Sequence, residues 1–478
     1  MTRPFAWRFV TPLFVGAALN PVNSSIIATA LVPIARAMHV SVGATTVLVS
    51  SLYLASAIAQ PTAGKLAEEF GPRRVFSTGV VLVLAGGILG GLAANLATLV
   101  VARVLVGVGT SAGYPSAMVL IRRRAASAGM GEPPGGVLGG LAIAGMATVA
   151  VGPPIGGLLV GGLGWRAAFL VNIPITLAAL AMAAWWIPRD PPRDGPRSAR
   201  RIAARLDVAG MAGFAAAMTA LLVLLMGLPH LNRVALALVV VFAVPLVWWE
   251  LRAATPFFDI RGLISNGALA RTYLRVALTL LGSYTILYGL TQWLEAGRGM
   301  SAEQAGLFLL PMGALSAFVS RPLSRRNLVR GPLVVAAVSM LAGSAGILFV
   351  TAHSPVVLLV AVTLVFGLMI GTTTVGNQTA LYTQSPADQI GTASGLFRTF
   401  GYLGSIASAA VTGIVFKGEV TDHGLHTLAV VLVIAGALAL AMTLLDRRLK
   451  APAVPAGPPR QDLTTSGGYS GGSAGTST

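Results

Sequence analysis

The sequence predicts an all-α membrane protein, a bundle of fourteen transmembrane helices, and three observations carry that expectation. The 478-residue chain is 55% hydrophobic and only 10% charged, whereas soluble domains carry about a quarter charged residues. It divides into apolar stretches of the length a helix needs to cross a hydrocarbon core of about 30 Å, roughly 20 residues each. Its lysines and arginines cluster between those stretches, heavily at alternate ends.

The expected spans are 9–33, 43–63, 75–96, 98–120, 135–161, 166–187, 207–227, 233–250, 269–293, 302–320, 331–351, 355–380, 390–416 and 427–445. With the N-terminus in the cytoplasm, 26 of the 33 Lys and Arg fall on the cytoplasmic side. Five fall opposite (Arg36, Arg166, Arg233, Arg298 and Lys417), and Arg103 and Arg398 lie inside spans. This asymmetry is the positive-inside signal of a multi-pass protein of the cell inner (plasma) membrane with both termini cytoplasmic. No small-residue cleavage pattern follows the first apolar stretch, so it reads as a retained helix rather than a signal peptide. All seven tryptophans fall at expected span ends, as belt anchors do, with Trp293 a candidate to face a substrate path.

Several function classes are excluded by chemistry. The net charge of +18 is confined to interhelix clusters, which argues against nucleic acid as the partner. No cysteine is present, so disulfides, thiolate metal sites and cysteine nucleophiles are out. The five histidines, His39, His230, His353, His423 and His426, are spread over four outer loops with no metal-ligand spacing. No intramembrane acid pair supports an enzyme, no ring of charge or carbonyl filter supports a channel, and no phosphate-binding loop supports ATP-driven transport. No cofactor or metal is expected. What remains is a carrier of small molecules, with protons as the candidate coupling ion.

Three motifs in the first half sharpen that reading. After the second span comes Gly64-Lys-Leu-Ala-Glu68-Glu-Phe-Gly71-Pro-Arg73-Arg74, where glycines permit a tight turn and the acid can cap a helix or pair with arginines. The fourth span holds Arg103-Val-Leu-Val-Gly107-Val-Gly109; a cation there needs carbonyls, water or an anion, or must snorkel to the nearer end. The fifth holds Thr148-Val-Ala-Val-Gly152-Pro153-Pro-Ile-Gly156-Gly157, whose small residues allow close helix approach and whose prolines kink the helix. In this order the motifs resemble the loop, helix-4 and antiporter signatures of the major facilitator superfamily. Trp165-Arg166-Ala-Ala-Phe169-Leu-Val-Asn172-Ile-Pro174, Pro256-Phe-Phe-Asp259, Gln292-Trp-Leu, Ser301-Ala-Glu-Gln-Ala-Gly306 and Gly391-Thr-Ala-Ser-Gly395-Leu-Phe-Arg398 are similar to its fourteen-helix drug:H+ antiporter branch.

The resemblance covers roughly residues 10–445 and implies the major facilitator fold: two six-helix bundles plus two inserted central helices, around a site near the membrane midplane. The corresponding division is 1–187, an N-terminal bundle; 188–206, a basic cytoplasmic linker; 207–265, the inserted pair and a loop; 266–446, a C-terminal bundle; and 447–478, a disordered cytoplasmic tail rich in Gly, Ser, Thr and Pro.

The chain departs from that branch in the first span, where Asn20 and Asn23 stand in place of the usual aspartate. In the loop signature, Glu68, Glu69 and Pro72 replace the common residues, and the second-half counterpart, Ser320–Arg330, lacks its acid. All fifteen Asp and Glu are expected in loops or helix ends, with Glu295 and Asp207 closest to a span. Candidate cavity residues are Asn20, Asn23, Tyr114, Tyr284, Tyr288, Gln292, Asn377 and Gln378, each alternatively an interhelical hydrogen-bonding group. Arg398 reads either as a receptor for an anionic substrate group or as charge at a helix end. The leading expectation is a secondary exporter of small organic compounds working by alternating access. The alternative is an uptake carrier or uniporter without proton coupling.

Overall fold

A computed structural model describes residues 5–130, 135–190, 206–227, 232–254, 256–258, 260–324, 328–385, 390–446 and 449. The C-terminal tail, most of the basic linker and His230 lie outside the described residues.

The described residues are almost wholly helical. The long helices are α1 Trp7–Met38, α2 Gly43–Phe70, α3 Pro72–Gly91, α4 Leu96–Ser127, α5 Gly135–Leu163, α6 Ala167–Trp186, α7 Val208–Met226, α8 Arg233–Glu250, α9 Gly267–Gly297, α10 Ala302–Ser324, α11 Arg330–Ile347, α12 Val356–Gln384, α13 Ile390–Val415 and α14 Asp422–Leu445. Among the described residues, twelve are long and apolar enough to cross a membrane. Helices α5 and α13 are not among the twelve: α5 runs as one α-helix over Gly135–Leu163 with Pro153 and Pro154 inside it, and α13 interleaves Gly, Ser, Thr, Tyr and Arg398 with its apolar residues.

Polar side chains stop and start the helices where the chain turns. Asn95, Asn232, Asn266 and Thr421 accept backbone N–H bonds at the starts of α4, α8, α9 and α14, and Ser301 with Gln304 forms a capping box at α10. Pro72 opens α3 at a position that needs no N–H donor.

Helix packing repeats itself eight helices on. The pairs α1·α5, α2·α4, α3·α4 and α3·α6 recur as α9·α13, α10·α12, α11·α12 and α11·α14. The two sets meet along α5·α10 and α2·α13, contacts that the same eight-helix shift exchanges. Helix α7 packs on α8 and touches both α2 and α13, spanning the seam from the side, while α8 presents most of its surface outward. Near the basic ends of the helices, Asp207 caps α7 and accepts from the Trp249 indole at 2.8 Å and the Phe257 amide at 2.8 Å. Lys65, from the loop motif, lies in the field of Asp207 and Glu250.

The tryptophans divide. Trp7, Trp185, Trp248 and Trp249 are exposed, consistent with interfacial anchoring, but Trp165 and Trp293 are buried. Trp293 is fully buried rather than exposed at an interface, and donates to Asp422 at 2.9 Å, tying α9 to α14.

Two arginines counted on the cytoplasmic side, Arg271 and Arg275, fall just inside the expected 269–293 span and lie in the first turns of α9. Arg271 makes two bonds of 3.0 and 3.1 Å to Asp446, at the end of α14, and the buried Arg275 reaches the same carboxylate at 3.4 Å. Removing one member of a buried pair strands the other, at a cost of about 3–5 kcal/mol, whereas a half-exposed pair contributes at most about 1 kcal/mol. Asp446→Ala is therefore expected to lower the Tm of the detergent-solubilised protein far more than Arg271→Ala does; equal shifts in a thermal-unfolding assay would contradict this assignment.

Candidate functional site

The centre of the molecule is organised by a break in α1. Its α-helical turns end at Ile26 and four residues of 3-10 helix, Ile27–Ala30, follow before the α-helix resumes. The carbonyls of Asn23 and Ser24, just ahead of the break, are taken by side chains from other helices. Arg103 of α4 donates from Nη1 to the Asn23 carbonyl at 3.1 Å and from Nε to the Leu48 carbonyl of α2 at 3.0 Å. Tyr288 of α9 donates to the Ser24 carbonyl at 2.8 Å. Arg103 is 1% exposed. It does not snorkel: it stays inside because the broken helix and the start of α2 offer it acceptors.

The two helix sets close on each other at the end opposite the basic clusters. There the Gly43 amide bonds the Phe416 carbonyl at 3.0 Å. The Tyr53 and Tyr288 hydroxyls are 3.1 Å apart, and Tyr284 stacks on Tyr288 at 5.6 Å while meeting Tyr53 edge-on at 5.1 Å. The motif glycines set how near the helices come. A Cβ on Gly157 would stand 2.5 Å from the Ala302 carbonyl oxygen, and one on Gly306 would stand 2.3 Å from that of Pro153. Gly152 and Gly156 do the same against Ser25 and Ile26 of α1, and Gly107 and Gly109 against Leu52 of α2 and Gly79 of α3. Close backbone approach is what small residues supply between membrane helices.

Deeper along the seam, polar side chains face one another across it. Gln60 of α2 lies between the Tyr402 hydroxyl and Arg398, both of α13. In the amide orientation that satisfies both partners, its nitrogen donates to Tyr402 and its oxygen accepts from Arg398 Nε at 3.3 Å and Nη1 at 3.2 Å. The Arg398 guanidinium also sits 3.9 Å from the centre of the Tyr114 ring of α4. It lies eight residues inside α13, about 12 Å from that helix's start, so it is not charge at a helix end. Tyr114, Tyr284, Gln378, Arg398, Tyr402 and Asn20 are all half-buried within their helices.

The remaining expected cavity residues separate into two groups. Asn23 forms a reciprocal amide pair with Asn172 of α6, at 2.8 and 2.9 Å, and Asn377 of α12 donates to Thr279 of α9 at 3.2 Å. These are interhelical ties, and both asparagines are buried. Asn20 donates to Ser56 and Thr110 at 3.1 and 3.0 Å yet stays half-buried at the seam. Gln292 is fully buried, with neither amide atom hydrogen-bonded.

Two segments of π-helix lie in α9, over Thr285–Leu290 and Trp293–Gly297, a form that recurs at functional sites. The second places Glu295 inside the continuous helix rather than in a loop. Glu295 is 2% exposed with its Oε1 unbonded, and Arg36 of α1 is the cation acting on it. Sequence reading placed this acid beyond the span because the apolar run ends near Trp293, whereas the widened turns carry the helix to Gly297.

The loop motif is organised by a residue the sequence did not single out. Gly71 has φ of +97°, and the Asp190 carboxylate caps the start of α3 by accepting from the Arg73 and Arg74 amides at 3.2 and 2.9 Å. The Arg73 guanidinium donates to the Ala184 carbonyl at 2.8 Å, a bond repeated one set later by Arg330 and the Leu444 carbonyl at 3.1 Å. Glu68 is exposed, and Gly64 has room around it, its nearest neighbour being Pro115 at 3.8 Å. Gln60, Tyr53 and Tyr402 were also passed over, though each is a polar residue in an apolar span and meets the criterion that selected Tyr284.

Two repeated sets of helices, joined by glycine-faced contacts at one end and lined with polar and aromatic groups between, define a multi-pass membrane transporter. Comparison with known proteins agrees. The chain belongs to the Major Facilitator Superfamily, whose family model matches residues 13–409. It is 33% identical to the uncharacterized MFS-type transporter YwoD of Bacillus subtilis, covering 91% of this chain and 95% of that one. It is 30% identical to the tetracenomycin C resistance and export protein of Streptomyces glaucescens, covering 87% and 77% respectively. Among solved structures, a peptide transporter crystallised with alafosfalin superposes with a TM-score of 0.65 at 15% identity, covering 92% of this chain and 95% of that one. At that identity the match concerns the fold.

Truncating one partner of the amide pair leaves the other buried. Asn172→Ala is expected to cost about 1–2 kcal/mol, read as a lower Tm. Asn20→Ala, at the half-buried seam, should lower Tm less.

Proposed function

We propose that this transporter is an exporter of small organic compounds that works by alternating access. The observation that carries the reading is the asymmetric seam. The two sets are held together at one end by glycine-on-carbonyl contacts and the Tyr53–Tyr288–Ser24 chain. The half-buried polar and aromatic groups lie deeper, toward the basic clusters. Rocking the sets about that seam breaks the closure at one end and moves the polar face toward the other. The names of relatives support the direction and cargo: besides the tetracenomycin exporter, they include a multidrug resistance protein B homolog of Mycobacterium tuberculosis, 29% identical over 62% of this chain and 54% of that one.

In this reading residues 1–187 and 266–446 are the two moving bundles, α7 and α8 are inserted between them, and α5 and α13 cross the membrane as the other helices do. The basic ends and both termini face the cytoplasm, so the closed end faces outward. At the cytoplasmic end the loop motif is anchored within the first set, by Asp190 on the start of α3 rather than by Glu68 on the arginines.

Expression in a pump-deficient bacterial host should raise the inhibitory concentration of a subset of a drug panel. Gly306→Val, which drives a side chain onto the Pro153 carbonyl, is expected to abolish that protection while membrane abundance stays unchanged. Protection that survives Gly306→Val would remove the closure from the mechanism.

Proton coupling has one specific support, the burial of Glu295 in α9 beside the closed end. A titratable carboxyl whose hydration changes as that end opens is a means by which a proton gradient can act on the cycle. Efflux in vesicles should depend on an imposed pH gradient, and Glu295→Gln should flatten that dependence. Flux indifferent to the gradient in the unmodified protein would favour the uniporter.

A further inference from the structure

Among the described residues the fully buried cations are Arg103 and Arg275, and each has backbone carbonyls or a carboxylate to answer it. Arg103 is held by two backbone carbonyls and Arg275 by Asp446. Arg398 has neither. The groups acting on it are the hydroxyls of Tyr114, Tyr382 and Tyr402, all neutral phenols, together with the Gln60 amide and the face of the Tyr114 ring. No carboxylate among the described residues faces it from α2, α4, α12 or its own helix. A guanidinium held only by neutral partners in a low-dielectric setting leaves most of its attraction for an anion unspent.

Those partners also sit across the boundary between the two sets. Gln60 and Tyr114 belong to the first set, and Arg398 and Tyr402 to the second. Tyr402 in turn lies 5.8 Å from Tyr53, which meets Tyr284. A row of phenol rings therefore leads away from the guanidinium along the seam, each in contact with the next.

From this geometry we infer that Arg398 with its surrounding tyrosines is a binding site for anionic aromatic compounds, their carboxylate or phenolate on the guanidinium and their rings against the tyrosines. The inference deepens the export reading and rests on it for direction only; the site itself needs no assumption about transport. An arriving anion makes the stronger, charge-assisted bond and takes the guanidinium from Gln60 and the Tyr114 ring. Occupancy thus exchanges contacts between the sets for contacts to the ligand, the differential interaction a ligand needs to shift a conformational equilibrium.

The test uses two dyes that share a xanthene ring: fluorescein, an anion, and pyronin Y, a cation. Binding to the purified full-length protein in detergent is followed by fluorescence polarisation. Fluorescein is expected to bind more tightly than pyronin Y. Arg398→Gln should weaken fluorescein by about tenfold or more, on the scale of a lost charge-assisted bond, and leave pyronin Y unchanged or tighter. Arg398→Lys should retain part of the fluorescein affinity. Equal losses for both dyes, an unaffected fluorescein affinity, or no binding of fluorescein to the unmodified protein would each overturn the site. Should Arg398→Gln unfold, the preference of the unmodified protein and the Arg398→Lys result decide, and a preference for pyronin Y overturns it. Failure of the drug panel with fluorescein still bound through Arg398 would sink the export reading and leave this site standing.

Discussion

Asn23 and Ser24 present two main-chain carbonyls in the middle of an apolar helix, and in lipid such groups must be answered from within the protein. The answers come from opposite directions. Arg103 approaches from α4 of the same set and Tyr288 from α9 of the other. The broken turn of α1 is thereby both an internal tie and a contact between the two halves that must part. Satisfying a backbone group with a hydroxyl from the moving partner makes the closure reversible, since a hydroxyl can exchange its bond for water when the end opens.

The same division of labour runs through the rest of the molecule. Contacts within a set are permanent in character: the Asn23–Asn172 amide pair, the Asp446–arginine cluster, the Asp190 cap on α3. Contacts between the sets are glycine on carbonyl, ring on ring, and cation on neutral groups. The glycine and ring contacts involve no charge, so parting them imposes none of the large desolvation cost that breaking a buried ion pair would. The distribution of interaction types thus matches a structure whose two halves are individually rigid and mutually mobile.

The absence of the first-helix aspartate takes on a physical meaning in this arrangement. Asn20 bonds Ser56 and Thr110, and Asn23 bonds Asn172, so this part of α1 is a packing element held by neutral hydrogen bonds. The ionisable groups of the seam are elsewhere, at Arg398 and Glu295. A seam whose central charge is a cation selects among ligands differently from one whose central charge is a carboxylate, whatever the fold they share.

Composition and the spacing of basic clusters determined the membrane class and the positions of the helices, because lipid imposes length and apolarity on every span separately and each span can be read without the others; the resemblance to the superfamily came from the order of the glycine, arginine and proline motifs. Glycine motifs also marked the tight helix contacts, since only the lack of a side chain permits them. Tertiary structure alone decided which polar residues are ties and which face the seam: Asn23 and Asn377 look the same as Asn20 and Gln378 in one dimension, and differ only in what stands opposite. It alone brought Asp190 to the start of α3, more than a hundred residues away in sequence, carried α9 through widened turns to bury Glu295, and set Arg398 among phenols with no acid to answer it. Partners of that kind depend on how helices are arranged side by side, and no property of a single helix contains it.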